Sequence, residues 1–83
     1  MIQFTVTVPF EEGLHARPAA ELVNVCKNVA SEITLAKDET EDNPKSILGI
    51  LTLAAGHGDS LVVTVDGADE VEISDKLKGF FEK

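Results

Sequence analysis

Apolar and polar residues alternate at the start of the chain: Ile2, Phe4, Val6 and Val8 fall on one side of an extended segment, and Gln3, Thr5 and Thr7 on the other. A period of two predicts a strand in a sheet with one solvated face. After the turn material PFEEG, the segment ARPAAELVNVCKNVA places Ala19, Leu22, Val23 and Cys26 at helical spacing, with polar Glu21, Asn24 and Lys27 outside. EITLAK returns to alternation with Ile33 and Leu35 on one face, and the acidic DETEDN after it suits only a short edge strand or a loop. Pro44 precedes SILGILTLAA, a short helix closed by Gly56, and GHGD leads into SLVVTVD, where Leu61, Val63 and Val65 point inward. Asp66-Gly67 ends that strand; Asp69 and Glu70 favour a helix start, and Ile73, Leu77, Phe80 and Phe81 form the apolar stripe of a last helix. The order is βαββαβα. Because strand faces alternate apolar with polar, the three predicted helices cover one side of a four-stranded, mainly antiparallel sheet, an open-faced α/β sandwich. No internal repeat is visible.

Composition narrows the function classes. Eighty-three residues suffice for a single domain, 1–83, with one core and at most one site. Cys26 is the only cysteine, so no internal disulfide framework exists, and its place on a helix face with Leu22 puts it in the core. MIQFTVTVPFEE alternates in polarity and lacks the basic residues of a signal sequence, so the chain is expected to be cytoplasmic. No apolar run approaches the roughly 20 residues of a membrane helix. A formal net charge of −8 repels phosphate backbones and anionic lipid heads, which argues against nucleic acid and membrane as partners. A ferredoxin-like RNA or ligand-binding domain would need surface aromatic or basic residues on the sheet, where this one shows Gln3, Thr5 and Thr7. His15, Cys26 and His57 do not have the spacing of a zinc motif, and His57, between glycines, reads as a solvated loop residue, so neither metal nor cofactor is expected. A monomer is expected.

The lone arginine among fifteen acidic residues stands in GLHARP, residues 13 to 18. Gly13 allows an unusual backbone angle in the turn, and Pro18 belongs in a helix's first turn. His15 and Arg17 therefore flank a helix N-terminus, where unpaired N–H groups and the positive end of the dipole favour an anion. Arg17 adds five fixed donors. A helix start disfavours a cationic ring, so near neutral pH His15 is available as a neutral nucleophile toward phosphorus. The phosphoimidazole formed would be held by the N–H groups and Arg17. From position alone a histidine near a helix start is more often an exposed or capping residue.

GLHARPAAELV resembles the active-site segment of the histidine-containing phosphocarrier (HPr) family of the bacterial phosphoenolpyruvate-dependent sugar phosphotransferase system, and KSILGILTL resembles that family's second motif. VTVDGADE is similar to its last strand and turn, so the likeness covers nearly the whole chain, and the βαββαβα order is the family's fold. The resemblance implies that His15 accepts a phosphoryl group from enzyme I and passes it to enzyme IIA components, with Arg17 steadying the phosphate. That makes the protein a covalent carrier, not a turnover enzyme. It also implies that Ser46, by position a helix N-cap, matches the serine modified by an HPr kinase/phosphorylase in Gram-positive relatives. Ile47, Leu48, Ile50, Leu51 and Leu53 exceed one core-facing stripe, so some stay exposed, either as a docking surface or as surplus on a small domain. On the docking reading, Ala20, Ile47, Leu48 and Leu51 surround His15 and receive enzyme I. A second function class uses the same fold as a regulatory module, acting through Ser46 and docking to a catabolite control regulator in carbon catabolite control.

Overall fold

A computed structural model of the protein describes residues 1–82, so Lys83, the last residue of the expected domain, lies outside them. The elements run β1 (Ile2–Thr7), α1 (Ala16–Cys26), β2 (Glu32–Lys37), β3 (Thr40–Asp42), α2 (Ile47–Thr52), β4 (Ser60–Asp66) and α3 (Glu70–Phe80). The strands form one sheet in the order β1-β4-β2-β3. Every pairing is antiparallel, with Phe4 opposite Val63, Leu35 opposite Val63 and Leu35 opposite Asp42. The period-two pattern sets this register, since a one-residue slip would carry Leu61, Val63 and Val65, all fully buried, to the solvent face. The three helices lie on one face, as their apolar stripes require.

Between the layers, Ala19, Leu22 and Cys26 of α1, Ile50 of α2, and Ile73, Leu77 and Phe80 of α3 meet Val6, Ile33, Leu35, Leu61, Val63 and Val65 of the sheet. Each such fully buried aliphatic side chain contributes about 1.5–3 kcal/mol relative to exposure. Phe10 closes one end of the core, its ring centroid 5.5 Å from that of Phe80, while Phe80 meets Phe81 edge-on at 5.1 Å. The acidic DETEDN segment supplies β3, a three-residue strand at the sheet edge, joined to β2 through Asp38 at a φ of +54°.

Two element ends differ from the sequence expectation. The first helix stops at Cys26, not at Ala30: the Ala30 and Ser31 amides donate instead to the two oxygens of Asp69, at 3.0 and 2.9 Å, which draws the chain out of the helix and into β2. Asp69 also accepts from the Ser31 hydroxyl. It thus occupies the N-cap position of α3 while spending its carboxylate on the α1–β2 connection. The short helix closes at Ala54, which takes a left-handed φ of +52°, and not at Gly56. Gly56 is committed elsewhere, its amide donating to Asp59 Oδ2 at 2.8 Å, while the Lys37 ammonium caps the Ala54 carbonyl at 3.0 Å.

Candidate functional site

Three hydrogen bonds shape the loop from β1 to α1. Phe10 to Gly13 form a turn closed by the Gly13 amide on the Phe10 carbonyl at 2.9 Å, and the next amide, of buried Leu14, donates to the Ala55 carbonyl at 2.9 Å. His15 follows as the N-cap of α1 in an extended conformation, its carbonyl accepting from the Ala19 amide at 2.9 Å. Its imidazole makes no capping hydrogen bond and points into solvent with its side chain 49% exposed. The first turn leaves the amides of Ala16 and Arg17 without intrahelical acceptors, and Pro18 has no N–H to leave. Arg17, two residues after His15, is exposed.

Two groups bear on the charge of this corner. The start of α1 presents unpaired N–H groups and its positive dipole end. Facing the ring from the turn is a carboxylate that the sequence reading missed: Glu12 Oε2 lies 2.8 Å from His15 Nε2. Its only sequence signal was a spacing of three residues across a glycine turn, which periodicity does not register. The other charge of the candidate set, Arg17, stands among exposed α1 residues with Ala20 and Glu21.

Ser46 is the N-cap of α2, its hydroxyl accepting from the Gly49 amide at 3.3 Å. The Asn43 side chain accepts from the Lys45 amide at 2.9 Å and the Asn43 carbonyl from the Ser46 amide at 3.1 Å, so the turn before the serine is braced from both sides. The Lys45 ammonium is turned away onto the Val29 carbonyl at 3.1 Å. On α2, Ile47 is 43%, Leu48 72% and Leu51 39% exposed, whereas Ile50 is buried. Ala20 is exposed on α1, and α1 packs against α2. The His15 loop touches Ala55, beyond the far end of α2 from Ser46, so roughly 9 Å of helix separates that contact from the serine.

The remaining chemistry-bearing residues stand apart. Cys26 is fully buried, and burial pushes its thiol up to about 11, which leaves it unreactive near neutral pH. His57 is exposed between Gly56 and Gly58. A cleft of about 350 Å³ between β1 and the end of α3, lined by Phe4, Thr7, Lys78 and Phe81 among others, includes none of the candidate residues. No helix among the described residues is long and apolar enough to cross a membrane.

Residues 2–83 match the family described as the PTS HPr component phosphorylation site. Over 83 residues the chain is 40% identical to the HPr-like protein Crh of Halalkalibacterium halodurans, a match covering 100% of this chain and 99% of that protein. It is 39% identical over 82 residues to the phosphocarrier protein HPr of Treponema pallidum, covering 99% and 93% of the two. The crystal structure of a phosphocarrier protein HPr from Bacillus anthracis superposes with a TM-score of 0.92 at 36% identity, covering 98% of this chain and 96% of that one.

Proposed function

The chain belongs to the HPr family of the phosphotransferase system, and from that premise we propose that His15 accepts a phosphoryl group from enzyme I, charged by phosphoenolpyruvate, and donates it to enzyme IIA components. The observation that carries the reading is the uncapped, half-exposed imidazole at the N-cap of α1, beside free amides and Arg17. The neutral ring attacks phosphorus, and the dianion it acquires gains charge-assisted hydrogen bonds from the helix start and the guanidinium. The protein acts as a monomeric, cytoplasmic, one-domain carrier that needs no cofactor. Enzyme I docks on the exposed apolar side chains of Ile47, Leu48 and Leu51 together with Ala20. Ser46 is a regulatory position. A phosphate there adds a charge of about −1.5 to −2, next to Ile47 and Leu48 and with Lys45 engaged elsewhere, so docking would have to desolvate it.

The likeness to an HPr-like Crh supports a second reading, a regulatory module acting through Ser46 and a catabolite control regulator. His15 favours the first, because a module working through Ser46 alone has no use for a nucleophile at a helix start.

Incubation with enzyme I and phosphoenolpyruvate, followed by intact mass measurement, tests the proposal. The parent gains one acid-labile, base-stable phosphoryl group that passes on to a IIA domain. His15→Ala gains none, Arg17→Ala is slowed roughly 10- to 100-fold by loss of one charge-assisted contact, and Leu51→Glu and Ser46→Asp are slowed without loss of folding. An adduct persisting in His15→Ala sinks the assignment. Parent-like rates in Leu51→Glu and Ser46→Asp remove the docking face and the antagonism respectively.

A further inference from the structure

The carrier reading makes no use of the Glu12 carboxylate, whose Oε2 lies 2.8 Å from His15 Nε2. We propose that Glu12 is a positioning residue for the transfer, holding the His15 ring with its hydrogen on Nε2 so that Nδ1 presents its lone pair to phosphorus. This role rests on the carrier reading of His15. An ionised carboxylate can only accept a hydrogen bond, so the nitrogen it contacts is the one that bears hydrogen, and a neutral imidazole then has its lone pair on the other. His15 makes no side-chain capping bond, so Nδ1 is not spent on the helix amides.

Both side chains lie in solvent, Glu12 79% and His15 49% exposed, but their backbones are pinned. The Gly13 amide closes the turn that carries Glu12, the Leu14 amide anchors the next residue on Ala55, and the Ala19 amide holds the His15 carbonyl. The two side chains therefore start from fixed points three residues apart, so only side-chain rotamer freedom, and no backbone freedom, is lost when they meet.

The bond changes set the sign of the carboxylate's effect in each direction. As the phosphoryl group arrives, the Nδ1 lone pair forms the N–P bond, and the bond from phosphorus to the donor breaks with its electron pair going to the donor. Nε2 keeps its hydrogen, so the ring becomes a positively charged phosphoimidazolium. Its charge faces Glu12, which lies at the nitrogen that does not carry the phosphoryl group. When the acceptor's nucleophile attacks phosphorus, the N–P electron pair returns to Nδ1 and the ring is neutral again with the same hydrogen on Nε2. No proton enters or leaves the ring in a full cycle. Glu12 thus favours the charged ring over the neutral one in the manner of a carboxylate behind a catalytic histidine.

The test compares the parent with Glu12→Ala and Glu12→Gln, using ¹⁵N shifts of the His15 ring on unphosphorylated protein at a pH where the ring is neutral, and phosphoryl transfer rates with enzyme I and with a IIA domain. In the parent, Nε2 is expected to show a protonated-nitrogen shift, Nδ1 a bare-nitrogen shift, and the phosphoryl group to be found on Nδ1. In Glu12→Ala the two shifts move toward each other and uptake from enzyme I slows by roughly tenfold, the lower end for carboxylates that orient a histidine, while donation to the IIA domain, in which the ring loses its charge, is not slowed. Glu12→Gln, whose amide oxygen still accepts, keeps the shifts apart and recovers part of the rate. Shifts that move without a change in rate, a rate that falls without a change in shifts, or a phosphoryl group on Nε2 each overturn the role. If the parent takes up no phosphoryl group at all, the carrier reading fails and the role with it, an outcome distinguishable because the ring shifts are read without phosphate.

Discussion

Gly13 is held at a φ of +77°, and a Cβ built on it would lie 2.4 Å from the Ala55 carbonyl oxygen, the atom that anchors the Leu14 amide. Gly13→Ala therefore has to displace one backbone segment from another and is expected to lower stability by about 2 kcal/mol or more. The loss is read from the midpoint of a urea titration, and because the same contact places His15, phosphoryl transfer should fall with it. An unchanged midpoint would show that the loop is not held as described. GLHARP declared this corner in advance because its residue types are constrained: a glycine in a turn, a proline in a first helical turn, and the one arginine of the chain. Glu12 was hidden by the opposite circumstance. It is one of fifteen acidic residues on no periodic face, and only the folded turn brings it to the ring.

The elements themselves were legible wherever one face meets the core. β1, β2 and β4 follow the alternation of Ile2 to Val8, Ile33 to Leu35 and Leu61 to Val65, and α3 follows the Ile73, Leu77, Phe80 stripe. Element ends were less so, because they are decided by distant partners. Nothing in ARPAAELVNVCKNVA indicates that the Asp69 carboxylate, 38 residues away from Ser31, claims the amides past Cys26. Likewise the obvious helix stop, Gly56, is bound to Asp59, and Ala54 takes the left-handed position at some cost. Ala54→Gly is expected to raise stability by about 0.5–1 kcal/mol, since an L side chain costs roughly 1–2 kcal/mol in that conformation and glycine's greater unfolded-state freedom offsets part of the relief. Calorimetry would register a Tm higher by a few degrees. A lower Tm would mean that the Ala54 methyl group contributes packing that outweighs the strain.

Across the whole molecule, depressed carboxylates tie distant segments together, among them Glu70, lowered by the N-terminal ammonium of Met1. Hydrogen bonds from the Ser31 hydroxyl and the Ala30 amide hold Asp69 below its ordinary value, and the Gly56 amide, followed by Lys37, does the same for Asp59. A carboxyl lowered on folding stabilises the native state above its ordinary value of 3.8, and that contribution is lost as pH falls through the lower folded value. Against this runs the net charge of −8, whose self-repulsion fades as pH approaches the pI of 4.5. Stability is therefore expected to rise from pH 7 toward mildly acidic pH and to drop only below about pH 4, as followed by urea midpoints across pH. Asp69→Asn should flatten the acid limb; a stability that declines steadily from pH 7 downward would contradict the balance.

The strand order β1-β4-β2-β3 also fixes when the protein can exist. β4, which joins β1 to β2, is the last strand to be synthesised, so on the ribosome the first two long strands wait with no common neighbour until Ser60–Asp66 has emerged. The turn before α1 waits too, since Ala55 and the Asp59 carbonyl, which accepts from Val8, arrive just ahead of β4. A polypeptide interrupted before that point can pair β2 only with β3, and it lacks both the four-stranded sheet and the histidine corner, so the site comes into being only with the last strand.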